Sequence, residues 1–188
     1  MYNGKGVFRK EDFMLIDLNE ILAETGKEKK YSLTIEMDKF STGESDYEFQ
    51  NKKEAVFHFV NKGKKTVALD CTIDTVLLMP CDRCLEMVEV PFSISASKDI
   101  DLKKTTEERE AELDEYNFLQ GMNFDTEVFV RDEILVNMPM KVLCSDDCKG
   151  ICNKCGTNLN KGSCDCDTTE LDPRMSKVLD VFNQFKEV

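Results

Sequence analysis

With 188 residues, 21.5 kDa and 41% apolar side chains, the chain is long enough to bury the core of one ordinary domain with at most a small appendage, which excludes a fully disordered polymer. Its longest apolar run, Val76 to Pro80, falls far short of the roughly 18 residues a membrane helix needs. The balance of 25 basic against 37 acidic residues repels phosphate at long range and disfavours DNA and non-specific nucleic-acid binding, so any RNA contact must be local or run through a basic partner. Basic residues in Met1 to Lys10 have no apolar segment behind them, and a cytoplasmic address away from membranes is the expectation.

Asp17, with Glu20 three residues on and Gly26 beyond Leu18, Ile21 and Leu22, predicts a short capped helix over 17–25. Tyr31, Leu33, Ile35 and Met37 alternate with polar neighbours and predict a strand, followed by a loop from Ser41 to Asp46. Ala55, Phe57 and Phe59, the turn Asn61-Lys62-Gly63-Lys64, and then Val67, Leu69, Cys71 and Ile73 predict a β-hairpin. Val76 to Met79 and Met87 to Ile94 read as a further pair of strands joined through Pro80-Cys81-Asp82-Arg83-Cys84. Charge crowds residues 99–115, which predicts a solvated acidic loop. Asp125 is placed to cap a helix running to about Asn137, with Val128, Ile134, Leu135 and Met138 toward the core and Pro139 opposing continuation. Asp172-Pro173 opens a last helix in which Met175, Val178, Leu179, Phe182 and Phe185 recur at helical spacing.

These elements predict an α+β fold: an antiparallel sheet over about residues 31–100, its closure into a barrel left open, with flanking helices. The expected organisation is an α+β core over 1–143, a cysteine-rich segment over 144–171 and an amphipathic helix over 172–188 packing on the core.

Nine cysteines in a chain expected in a reducing compartment point to metal before disulfides. Cys152, Cys155, Cys164 and Cys166 fall within fifteen positions, and a C-x-x-C turn brings two thiolates to one ion without a long loop closure. Gly156, directly after the second thiol, can take the positive φ that turns backbone N–H groups toward the sulfurs, and Lys149, Lys154 and Lys161 can offset the charge of four thiolates on a divalent ion. Cys81, Cys84, Cys144 and Cys148 make a second quartet only if the fold brings residue 84 near residue 144. The alternatives at that quartet are that Cys144 or Cys148 serves the downstream ion, or that Cys81-Asp82-Arg83-Cys84 is a thiol-disulfide pair. One or two structural zinc ions are thus expected, and four thiolates also accept iron. Cys71 alternates with strand hydrophobes and reads as a buried small apolar residue. His58, the sole histidine, reads as an ordinary strand position, which leaves acid–base and Ser-His catalysis with almost no candidate support.

Cys81-Asp82-Arg83-Cys84-Leu85, Met138-Pro139-Met140-Lys141-Val142-Leu143-Cys144 and the run from Cys148-Lys149-Gly150-Ile151-Cys152 through Cys155-Gly156 and Asn158-Leu159-Asn160 to Cys164 and Cys166 together resemble the bacterial family named for large ribosomal RNA subunit accumulation, also called YceD-like. The similarity extends over about residues 10–185. The resemblance implies a cytoplasmic, non-enzymatic protein that supports 23S rRNA accumulation and large-subunit assembly. It implies a large-subunit precursor as partner, met through a ribosomal protein or a local rRNA contact. Some members of that family share the first C-x-x-C and lack the downstream quartet, which implies separable roles for the two metal sites. A thiol redox or zinc-sensing protein, and a protein-protein adaptor unrelated to ribosomes, are the alternatives.

Overall fold

The computed structural model describes residues 15–103, 108 and 117–166. Its elements are β1 (Leu15–Asp17), α1 (Asn19–Leu22), β2 (Glu28–Thr34), β3 (Lys39–Ser41), β4 (Asp46–Lys52), β5 (Glu54–Gly63), β6 (Thr66–Pro80), β7 (Met87–Asp101), β8 (Leu119–Gln120), β9 (Asn123–Asp125) and α2 (Thr126–Val136). The α+β expectation is corrected accordingly: among the described residues the protein is mostly antiparallel β, and the helices α1 and α2 are four and eleven residues long. The helix expected over 172–188 and most of the acidic loop over 99–115 lie outside the described residues. The sheet does not close into a barrel among the described residues. Its order is β2-β5-β6-β4-β3, with β7 also paired to β6, and a separate three-stranded sheet runs β1-β9-β8.

The chain divides into two compact units, residues 1–79 with 88–140, and residues 80–87 with 141–188. In the first unit the hairpin read from alternation forms as β5 and β6, in register Phe57 to Cys71 and Phe59 to Leu69. The strands expected at 67–73 and 76–79 are one fifteen-residue strand, β6. With only Lys53 between them, β4 and β5 pair successive halves of β6, and a bulge between Phe49 and Asn51 takes up the irregularity. Ala55, Phe57, Phe59, Val67, Leu69, Cys71, Ile73 and Leu77 point inward and are buried. Asp125 caps α2, its carboxylate accepting the Val128 N–H at 3.1 Å. The inward face of α2 is Phe129, Val130, Glu133 and Ile134, whereas Leu135, expected inside, is 50% exposed. At α1 no side-chain cap forms; Asp17 belongs to β1 and accepts the Asn19 N–H at 2.9 Å.

Phe124 is the hub of the packing, with ring centroids of Phe57, Phe59, Phe118 and Phe129 at 5.9, 5.2, 5.3 and 5.3 Å. The buried carboxylate of Glu133 is met by the Lys98 ammonium at 2.5 Å, which lies over the Phe129 ring. His58, on the half-exposed face of β5, has its Nε2 3.3 Å from the Glu28 carboxylate.

Burial, with the charge of Glu133 behind it, pushes the Cys71 thiol from 9.0 up to about 12. Native protein held at pH 8 with iodoacetamide is therefore expected to leave Cys71 unmodified by peptide mass spectrometry, and rapid carbamidomethylation there would refute its burial. The folded thiol stays protonated where the unfolded one ionises. This contribution to stability is intact below about pH 8.5 and is lost as pH rises toward the folded value.

Candidate metal centres

Both cysteine quartets belong to the second unit, which is built from two stretches far apart in sequence. Cys81 and Cys84 lie in the connection between β6 and β7. The Asp82 N–H donates to the Val142 carbonyl at 2.9 Å and its carboxylate accepts the Val142 N–H at 2.7 Å, which clamps that connection to the segment leading into Cys144. The Arg83 guanidinium donates to the Cys148 carbonyl at 2.8 Å, and the Ile151 N–H to the Arg83 carbonyl at 3.1 Å. Gly150, at φ 79°, lets the two stretches meet, since a Cβ there would sit 3.0 Å from the Arg83 carbonyl oxygen.

The result is two clusters, Cys81, Cys84, Cys144 and Cys148 in one and Cys152, Cys155, Cys164 and Cys166 in the other, with the four sulfurs of each within 4.8 Å of one another. Four thiolates at about 2.3 Å around a tetrahedral zinc ion are separated by about 3.8 Å. The Cys81 and Cys148 sulfurs lie 3.8 Å apart and those of Cys84 and Cys144 3.5 Å apart, so the donor set and its spacing fit such an ion. The thiols also crowd one another electrically. Burial pushes Cys81 up, yet the Arg83, Cys84 and Cys144 amides pull it down to about 6. The Glu86 amide pulls Cys84 down, but burial and the neighbouring thiols of Cys144, Cys81 and Cys148 raise it to about 12. In the second cluster the Thr157 hydroxyl and amide pull Cys155 to about 6, while the Cys155 thiol and burial push Cys166 to about 12. Within each group one sulfur ionises at the expense of another, and a divalent cation is what allows all four to be thiolates together.

The two C-x-x-C turns differ at the residue that follows. Gly156 takes φ 72°, and its N–H donates to the Cys152 carbonyl at 2.8 Å. In the first turn the same place is held by Leu85 at φ 61°, with its N–H on the Cys81 carbonyl at 2.9 Å and its side chain 63% exposed. A left-handed conformation costs a branched side chain about 1–2 kcal/mol, and exposed Leu85 recovers little of this by burial. Leu85→Gly is thus expected to stabilise the first cluster by about 1 kcal/mol, read as a roughly fivefold gain in zinc affinity by chelator competition. A weaker affinity would show that the leucine side chain holds the turn.

The sequence assigns no role of their own to Asp82, Thr157 or Asn160. Asp82 works through Val142, 60 residues away, and Thr157 through its hydroxyl beside the Cys155 sulfur, and neither contact leaves a periodic signal, whereas the Asn158-x-Asn160 pair is a turn signature, with Asn158 Oδ1 accepting the Asn160 N–H at 2.9 Å. Of the lysines near the thiols, Lys161 is paired with Glu86, and its ammonium is stabilised first by that carboxylate and further by Cys84.

Residues 69–182 match the model of the family described as large ribosomal RNA subunit accumulation protein YceD, a span that holds all eight clustered cysteines. The chain is 30% identical over 139 residues to "Large ribosomal RNA subunit accumulation protein YCED homolog 1, chloroplastic" of Arabidopsis thaliana, a match covering 60% of this chain and 43% of the plant protein. It is also 30% identical over 124 residues to "Uncharacterized protein YlbN" of Bacillus subtilis (strain 168), covering 65% of this chain and 70% of that one. The chain thus spans less than half the length of the plant relative. No solved structure matches.

Proposed function

The chain belongs to the family of large ribosomal RNA subunit accumulation proteins, and from that premise we propose that it is a non-enzymatic cytoplasmic factor supporting 23S rRNA accumulation and large-subunit assembly, carrying two structural zinc ions. The observation that carries this reading is the pair of four-sulfur clusters inside the span that matches the family. Zinc with four protein thiolates cross-links the chain and keeps no open position for water, so the clusters suit a scaffold and not hydrolysis. Among the described residues no helix is long and apolar enough to cross a membrane.

The net charge of −12 argues for contact with the large-subunit precursor through a basic ribosomal protein. Local rRNA contact would fall to the lysines around the clusters, Lys149, Lys154 and Lys161. Depleting the protein is expected to lower 23S relative to 16S rRNA, and the protein should sediment with immature large subunits on a sucrose gradient. Unchanged subunit ratios, together with a protein that stays at the top of the gradient, would overturn the assembly role and leave an adaptor acting elsewhere.

A further inference from the structure

The segment between Cys155 and Cys164 belongs in sequence to the second cluster, yet two of its side chains serve the first. It folds back on the chain before it. The Cys152 N–H donates to the Thr157 carbonyl at 2.8 Å, Ile151 bridges Asn158, and the Leu159 N–H donates to the Gly150 carbonyl at 2.9 Å. At the end of this return farthest from its turn, Asn160 spans two groups. Its Oδ1 accepts the Lys149 N–H at 2.7 Å, and its Nδ2 donates to the Cys148 sulfur at 3.3 Å. The Lys149 N–H decides which way the amide faces, because the reversed amide would set two donors against each other. Asn160 is exposed, so this orientation comes from its hydrogen bonds and not from packing. Beside it, Lys161 carries its ammonium to Glu86, two residues beyond Cys84.

We propose that Asn160 is a positioning residue that couples the two clusters, so that ion binding by the second raises the affinity of the first. This rests on the metal reading given above. Gathering Cys155 and Cys164 shortens the span of the intervening loop and fixes Asn160 opposite Cys148, where its N–H spreads the negative charge of a coordinated thiolate. Outer hydrogen bonds of this kind change metal affinity by about 10–100-fold when removed. The coupling is reciprocal: occupancy of the first cluster orders Cys148 and Lys149, which hold the loop that closes the second.

The test uses the full chain with buffered free zinc alone, and reads each cluster separately by mass-spectrometric protection of its own cysteines from alkylation. Asn160→Asp keeps an oxygen for the Lys149 N–H and removes the donor to sulfur. Cys155→Ser with Cys164→Ser disables the second cluster. Each change is expected to raise the free zinc needed to protect Cys81, Cys84, Cys144 and Cys148 by about 10-fold or more. Asn160→Asp should add little in the background of the serine pair, because the coupling is already lost there. With cobalt(II) in place of zinc, Asn160→Asp should also shift the thiolate-to-metal absorption of the first cluster, a change a purely structural role would not produce. Should the wild type bind two ions while Asn160→Asp protects the first cluster within twofold of wild type and with an unshifted spectrum, the coupling is overturned and the metal reading stands. A wild type that binds no ion overturns both.

Discussion

Cys81→Ser is expected to empty the first cluster and to release residues 80–87 from residues 141–150. Among the described residues of the second unit, the buried apolar side chains are Cys81, Cys84, Val142, Cys148 and Cys152. One valine supplies about 2 kcal/mol of burial. Ordering backbone costs about 1–2 kcal/mol per residue, so the connection alone demands several times what Val142 returns. A structural zinc ion would contribute about 10–16 kcal/mol at neutral pH, a term of the required size. Serine at position 81 keeps the volume and removes the thiolate. Elemental analysis should then find one zinc per chain where two are expected of the wild type, and amide exchange over 80–87 and 141–150 should approach unprotected rates. Retention of both ions with undiminished protection would refute the assignment of Cys81 as a ligand. Chelation of the wild type should strip both clusters and leave the sheet signal of the first unit in place.

Phe124→Ala should be the most damaging single change in the first unit. The ring is fully buried and touches four other aromatic rings, so truncation opens a void that β9, only three residues long, cannot collapse to fill. Loss of a buried phenylalanine costs about 3–5 kcal/mol, which for a unit of this size lowers the melting temperature by about 10–20 °C. Calorimetry of the variant, with Phe124→Leu as the milder comparison, measures this directly. A loss under about 1 kcal/mol would mean that the aromatic cluster is not the core.

Where local pattern and tertiary structure agree, the elements were readable. Alternation plus a Gly-containing turn sufficed for β5 and the first half of β6, and Asp125 announced α2. The division of β6 into two strands came from Thr75, a polar residue on the inward row. Its hydroxyl is satisfied by the Asn51 carbonyl at 2.9 Å, at the bulge of β4, a partner that no local pattern announces. β4 itself, Asp46-Tyr-Glu-Phe-Gln-Asn-Lys, has too few apolar positions to read as a strand and is held by pairing with distant residues. The same holds for β1, β8 and β9, whose shortness hides any period. At the clusters, the spacing of Cys152, Cys155, Cys164 and Cys166 is local enough to suggest a group. The other four depend on proximity across the fold, which the Asp82 clamp on Val142 and the bare α-carbon of Gly150 provide.

Cys84 and Cys144 stand 60 residues apart. During translation at about 5–20 residues per second, half of the first cluster's ligands therefore emerge about 3–12 s before the other half. In that interval the nascent chain presents an unpartnered dithiol at a hairpin tip, open to oxidants and to passing ions. The four sulfurs of the later cluster leave the exit tunnel almost together. Maturation is thus paced by chain growth, and the earliest ligands wait longest for their cation.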